Sequence, residues 1–185
     1  SAPHSRRTGL SQAVSAAELS HQLRCESGAF LAQRRGILVL SLLATGAMGL
    51  IALYQMGVIK HLPEPPLPRL DADTIDASPE AYERLSTPDA TLGAASYATT
   101  MVLAAMGSKD RARRQPWIPL ALAGKVTFDV LQALRMTRVQ WTKYRAFCFW
   151  CLVSAAATFA SAPLVFGETR EALRRLAKGA EKGNV

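Results

Sequence analysis

Residues 36–59 form a run without a single charged side chain, preceded by Arg34 and Arg35 and closed by Lys60 and His61. A helix rises 1.5 Å per residue, so this run is long enough to cross the ~30 Å of hydrocarbon in a bilayer. A helix on a water-facing surface would carry charges along one stripe, and this run carries none. The chain is therefore read first as an integral membrane protein in contact with lipid.

The same blocky layout continues downstream. Residues 60–89 are rich in proline and acidic, with seven carboxylates against three basic side chains, and read as an extramembrane loop. The loop begins as extended polyproline and includes a short helix capped by Ser78 with Pro79 in its first position. Residues 90–108 are a second uncharged run, rich in Ala, Gly, Ser and Thr, which let helices approach closely in a bundle. A basic turn at 109–114 leads to a third run at 116–134, interrupted by Lys125 and Asp129, and a fourth covers 146–167. The expected fold is all-α: a four-transmembrane-helix bundle with polar cytoplasmic tails and a Pro-rich acidic outer loop.

The expected organisation is a tail at 1–35, a membrane domain at 36–167 with spans at about 36–59, 90–108, 116–134 and 146–167, and a second tail at 168–185. No apolar signal-type run lies in the first 35 residues, so the chain is expected to start at a mature or internal residue. Apolar positions between 11 and 33 fit a short amphipathic helix at the headgroups and fit a disordered tail as well. The second tail reads as a polar helix fading into disorder.

The net charge of +8 raises the possibility of nucleic acid, but the basic residues gather at block edges rather than on one interleaved surface, so no nucleic-acid partner is expected. Those edges report topology instead. With the N-terminus inside, the inner segments hold 14 Lys and Arg and the outer ones seven, which puts both termini in the cytoplasm. The third loop, with Arg135, Arg138, Lys143 and Arg145, runs against this count.

Cys148-Phe149-Trp150-Cys151 opens the fourth run. Two cysteines three apart at a helix N-terminus are placed to form a reversible disulfide with an acidified thiol. At the outer mouth of the span, Cys148 would face an oxidising compartment, and Cys151, one turn deeper, would look into the bundle toward molecules dissolved in the membrane. Inert cysteines packed in the bundle are the alternative. No metal is expected, because a closed zinc site wants four ligands, the third cysteine, Cys25, lies in the tail with His4 and His21, and His61 stands alone. Lys125 and Asp129 share a helix face at i, i+4; they form a structural pair, or Asp129 handles protons at the level of the cysteines.

Four spans with a CxWC opening the last, followed by Leu152-Val153-Ser154, resemble the membrane core of the vitamin K epoxide reductase family. Gly93 and Tyr97 repeat a Gly-x-x-x-Tyr spacing that is similar to the family's second span, with Asp89 four residues ahead. The resemblance covers roughly 36–167. It implies a bundle around a quinone pocket, in which Cys151 passes electrons to the quinone and Cys148 exchanges disulfides with a thioredoxin-like dithiol protein, while Asp89 and Tyr97 face the quinone. It implies a setting too, a bacterial inner membrane. Residues 60–89 lack the two shuttle cysteines of typical members.

Two functions follow as expectations. One is a membrane thiol oxidoreductase that passes electrons from dithiols to quinone. The other is a non-catalytic subunit whose bundle, tails and acidic loop dock onto other subunits of a membrane complex. A transporter draws only on Lys125 and Asp129, without repeated halves to support it.

Overall fold

The computed structural model describes residues 14–183. Its helices are α1 (Ala16–Cys25), α2 (Leu31–Gln55), α3 (Ala72–Asp76), α4 (Asp89–Ala105), α5 (Arg111–Arg114), α6 (Trp117–Val139) and α7 (Phe149–Gly183). Single 3-10 turns lie at Pro79–Ala81 and Arg84–Ser86, and a π turn at Gln140–Tyr144 extends α6. There is no strand among the described residues, only one isolated bridge between Leu70 and Phe147.

Among the described residues three helices are long and apolar enough to cross a membrane: Leu31–Gln55, Trp117–Tyr144 and Phe149–Gly179. The run expected as a second span forms α4, whose 17 residues reach only about 25 Å. It falls short of the ~30 Å hydrocarbon thickness by itself. α4 packs along α2 and touches α6, while α7 lies against both α2 and α6. Outside this contact zone large apolar side chains stay exposed, among them Val39, Leu42 and Leu43 on α2 and Phe128, Leu131 and Leu134 on α6. A water-soluble protein rarely leaves so much apolar surface uncovered, whereas lipid covers it without cost.

Two buried clusters mark the ends of the bundle. Ile37, Ala104, Leu122 and Val126 fill one end, and Met48, Ile51, Leu62, Ala72, Ile75, Ala90 and Cys148 fill the other. At the first end the arginines expected only as flanking charges turn inward. Arg34, 3% exposed, donates to the carbonyls of Ala104, Ala105, Met106, Gly107 and Ser108 at 2.9–3.1 Å. Arg111, fully buried, donates to Leu103, Ala104 and Met106 and holds Glu168 by two bonds of 2.7 Å. The last carbonyls of a helix have no partner of their own, and here guanidinium groups supply one. Gly107 follows at φ +83°, where a Cβ would meet Arg111 at 3.2 Å, so the left-handed turn that ends α4 also makes room for the arginine.

In the N-terminal tail, residues 16–25 form α1. Ser15 caps α1 by accepting from the Glu18 N–H at 3.2 Å; residues 1–13 lie outside the described residues. Arg35 ties α1 down by donating to the carbonyls of Leu23 and Glu26, and Lys109 pairs with Glu26. The expected boundary at 167 is not a break in structure. α7 is 35 residues long, about 50 Å, and runs on from its apolar half into its charged half without interruption.

Candidate functional site

The cysteine end is closed by the acidic loop, which folds back over the start of α7. Asp71 caps α3 by accepting from the Thr74 N–H at 3.0 Å, and Ala72, Ile75 and Asp76 form its buried face. The Phe147 N–H donates to the Arg69 carbonyl at 2.7 Å, and the Asp71 N–H to the Phe147 carbonyl at 3.0 Å, stitching the loop beside Cys148. The Trp150 indole donates to the Pro63 carbonyl at 2.8 Å. Lys143 and Tyr144 both grip Glu80, and these bonds hold the Glu80 carboxyl down at about 2. The expected Ser78–Pro79 start is present, with Pro79 in the first position, but it opens only the single turn Pro79–Ala81 and the Ser78 side chain caps nothing. The principal loop helix is α3, which lies just upstream.

Cys148 stands immediately before α7, and its sulfur accepts from the Cys151 N–H at 3.2 Å, as a cap would. The Cys148 N–H is itself held by the Gln140 side chain at 3.2 Å. One expectation for this residue needs correction. Cys148 does not face an outer compartment: it is 0% exposed, sealed by the loop.

Cys151, one turn into α7, lines a cleft of about 340 Å³ between α4, α6 and α7. Asp89, Tyr97 and Asp129 line the same cleft, so these residues singled out in the sequence converge there with Cys151, and Cys148 adjoins Cys151. The walls are mostly apolar, with Met48, Leu92 and Phe128, and the loop residues Glu80, Glu83 and Arg84 reach one side. An apolar cleft with a few fixed polar groups is the usual form of a small-molecule site.

Asp89, Tyr97 and Asp129 are each anchored. Gln55, at the end of α2, donates to the Asp89 carboxylate at 2.8 Å and to the Asp76 carbonyl at 3.2 Å, and accepts from the Ala90 N–H. The Tyr97 hydroxyl meets Thr158 at 3.0 Å. Asp129 accepts from Lys125 at 2.6 Å and from Ser96 and Thr100 on α4, so the pair binds α6 to α4. At Gly93 an added Cβ would lie 2.8 Å from the Met48 sulfur, which explains a glycine one turn before Tyr97: α2 and α4 touch there.

Residues 36–166 match the Vitamin K epoxide reductase family. The chain belongs to that family. No curated protein and no solved structure matches it. Vitamin K epoxide reductase family membership makes this a multi-pass membrane protein of a family of membrane thiol–disulfide oxidoreductases that use quinone as electron acceptor.

Sequence reasoning passed over one member of the site. Asp76, 3% exposed, accepts a long hydrogen bond from the Cys151 thiol at 3.7 Å, and its other oxygen has no partner. Its carboxyl oxygen and the two sulfurs lie within 4.8 Å of one another. Only a weak signal pointed to it. Ala72, Ile75 and Asp76 follow the i, i+3, i+4 spacing of a buried helix face, but α3 is five residues long, too short for that period to stand out.

Proposed function

We propose that this chain is a quinone-dependent thiol oxidoreductase in which Cys148 and Cys151 form the redox pair. Electrons from a thioredoxin-like dithiol protein enter through Cys148 and leave through Cys151 to a quinone in the cleft. The observation that carries this reading is the asymmetry of the pair: Cys151 opens on an apolar cleft, and Cys148 is closed off behind it. A quinone ring would lie among Leu92, Phe128 and Met48, with Tyr97 and Asp89 within the polar part of the wall. A hydroxyl and a carboxyl at that place supply hydrogen bonds to quinone oxygens, and Asp129 with Lys125 keeps a charged pair at the same level.

Residues 60–89 hold no cysteine, so no relay within the chain carries electrons across the loop. The dithiol partner therefore meets Cys148 directly, which requires the segment from Pro63 to Asp76 to lift. In this reading four helices cross a bacterial inner membrane, α4 among them, and both termini are cytoplasmic, with the membrane domain bounded at 36–167 and a tail on either side. The test is dithiol-dependent reduction of a short-chain quinone by purified protein. Cys148→Ser and Cys151→Ser each abolish it; an unchanged rate in either variant rules the reading out.

The sealed Cys148 and the missing loop cysteines also favour a second reading, a non-catalytic subunit of a membrane complex. In that case the double Cys→Ser variant copurifies with its partners and functions like the parent.

A further inference from the structure

We infer that Asp76 is the proton acceptor of the cysteine pair, taking the Cys151 proton as the disulfide forms; this rests on the redox reading above. Three observations on geometry lead there. Asp76 ends α3, the helix laid over the start of α7, and its Oδ1 is the one side-chain acceptor placed on the Cys151 thiol, at 3.7 Å. Its Oδ2 is buried and receives nothing. Among the described residues no cation answers its charge, whereas the two other carboxylates buried as deeply are paired: Glu168 is held by Arg111 and Asp129 by Lys125. A carboxylate buried for structure is paired, because an unpaired one costs the fold several kcal/mol.

The groups that face Asp76 are Cys148 and Cys151 from α7, Asp89 from α4, Tyr54 and Gln55 from α2, and Glu64 from the loop itself. None is basic. Burial, joined by Asp89 and Glu64 and opposed by the two thiols, pushes the Asp76 carboxyl up to about 7. A group that changes protonation near neutrality suits proton transfer in both directions.

The Cys151 S–H bond breaks and its proton passes to Asp76 Oδ1. The thiolate left behind and the Cys148 thiol together lose two electrons and one further proton as the S–S bond forms. The two electrons reduce a quinone, which takes up two protons to become hydroquinone: the Cys151 proton relayed from Asp76 and the proton released by Cys148.

The test uses the full chain in lipid nanodiscs with Cys25→Ser, so that only the pair reports. Conversion of dithiol to disulfide is followed from pH 5.5 to 9 by mass-tagging maleimide, once with diamide, an oxidant that needs no quinone site, and once with a short-chain ubiquinone. With diamide the parent rate falls as pH drops below about 7; Asp76→Asn loses that inflection and is slower at pH 7 by roughly tenfold or more. Asp76→Glu, which keeps the carboxyl, recovers part of the rate with a displaced inflection, and it carries the test if the Asn variant does not fold. An Asn variant with the parent's profile and a rate within about twofold overturns the inference. If the diamide profile depends on Asp76 while quinone oxidises neither protein, the proton role stands and the quinone reading falls.

Discussion

Lys125 and Asp76 show how differently this interior treats charge. Lys125 is 17% exposed and neutralises Asp129 over 2.6 Å, so Lys125→Ala leaves a carboxylate buried without its cation. That variant should lose about 3 kcal/mol of stability, and the double variant Lys125→Ala with Asp129→Ala should recover much of it, measured by denaturant or thermal unfolding in detergent. Asp76 predicts the opposite sign. Its folded value, about 7, lies above the ordinary 3.8, so the folded protein holds a proton that the unfolded chain releases. Its contribution to stability is fully present below the ordinary value and is lost as pH rises toward about 7. Asp76→Asn should therefore melt higher than the parent at pH 8, by up to about 4 kcal/mol in stability, with the gap closing toward pH 4. At the same scale, Cys25, which is exposed, should react with maleimide well before Cys148, and loosening the loop through Trp150→Phe, which removes the bond to Pro63, should speed Cys148 labelling.

Among the elements, α2 and the start of α7 were legible in the sequence because each depends on local facts: an uncharged run between basic flanks, and a CxxC at a helix start. The i, i+4 spacing of Lys125 and Asp129 placed them on one face for the same reason. What sequence did not show depends on contacts between distant segments. That Arg34 would turn from flank to cap needed α4 to end within its reach, 70 residues later in the chain. That Cys148 would be sealed needed the bridge from Leu70 to Phe147. α4 makes two checkable demands. Arg111→Ala should cost about 3–5 kcal/mol, since it strips three carbonyls and leaves Glu168 buried and alone. Gly93→Ala should cost only about 1 kcal/mol, because the atom it crowds is the mobile sulfur of Met48, whereas Gly93→Val should force α2 and α4 apart and lower both Tm and cleft function.

For the molecule as a whole, the proposed topology can be read from Cys25. In sealed right-side-out vesicles a membrane-permeant maleimide should label it and an impermeant one should not; labelling by both would invert the orientation. At one end the carboxylates of the loop and α3 are matched by basic side chains of the loop and of residues 135–145, and the other end carries Arg34, Arg111 and α7's charged half. The arginine end bears on α4 in particular. A helix in lipid ordinarily runs on until water can hydrate its final carbonyls. Here the guanidinium groups of Arg34 and Arg111 do that hydration from inside the protein, so α4 can stop early, and a segment too short to be counted as a span can still be complete.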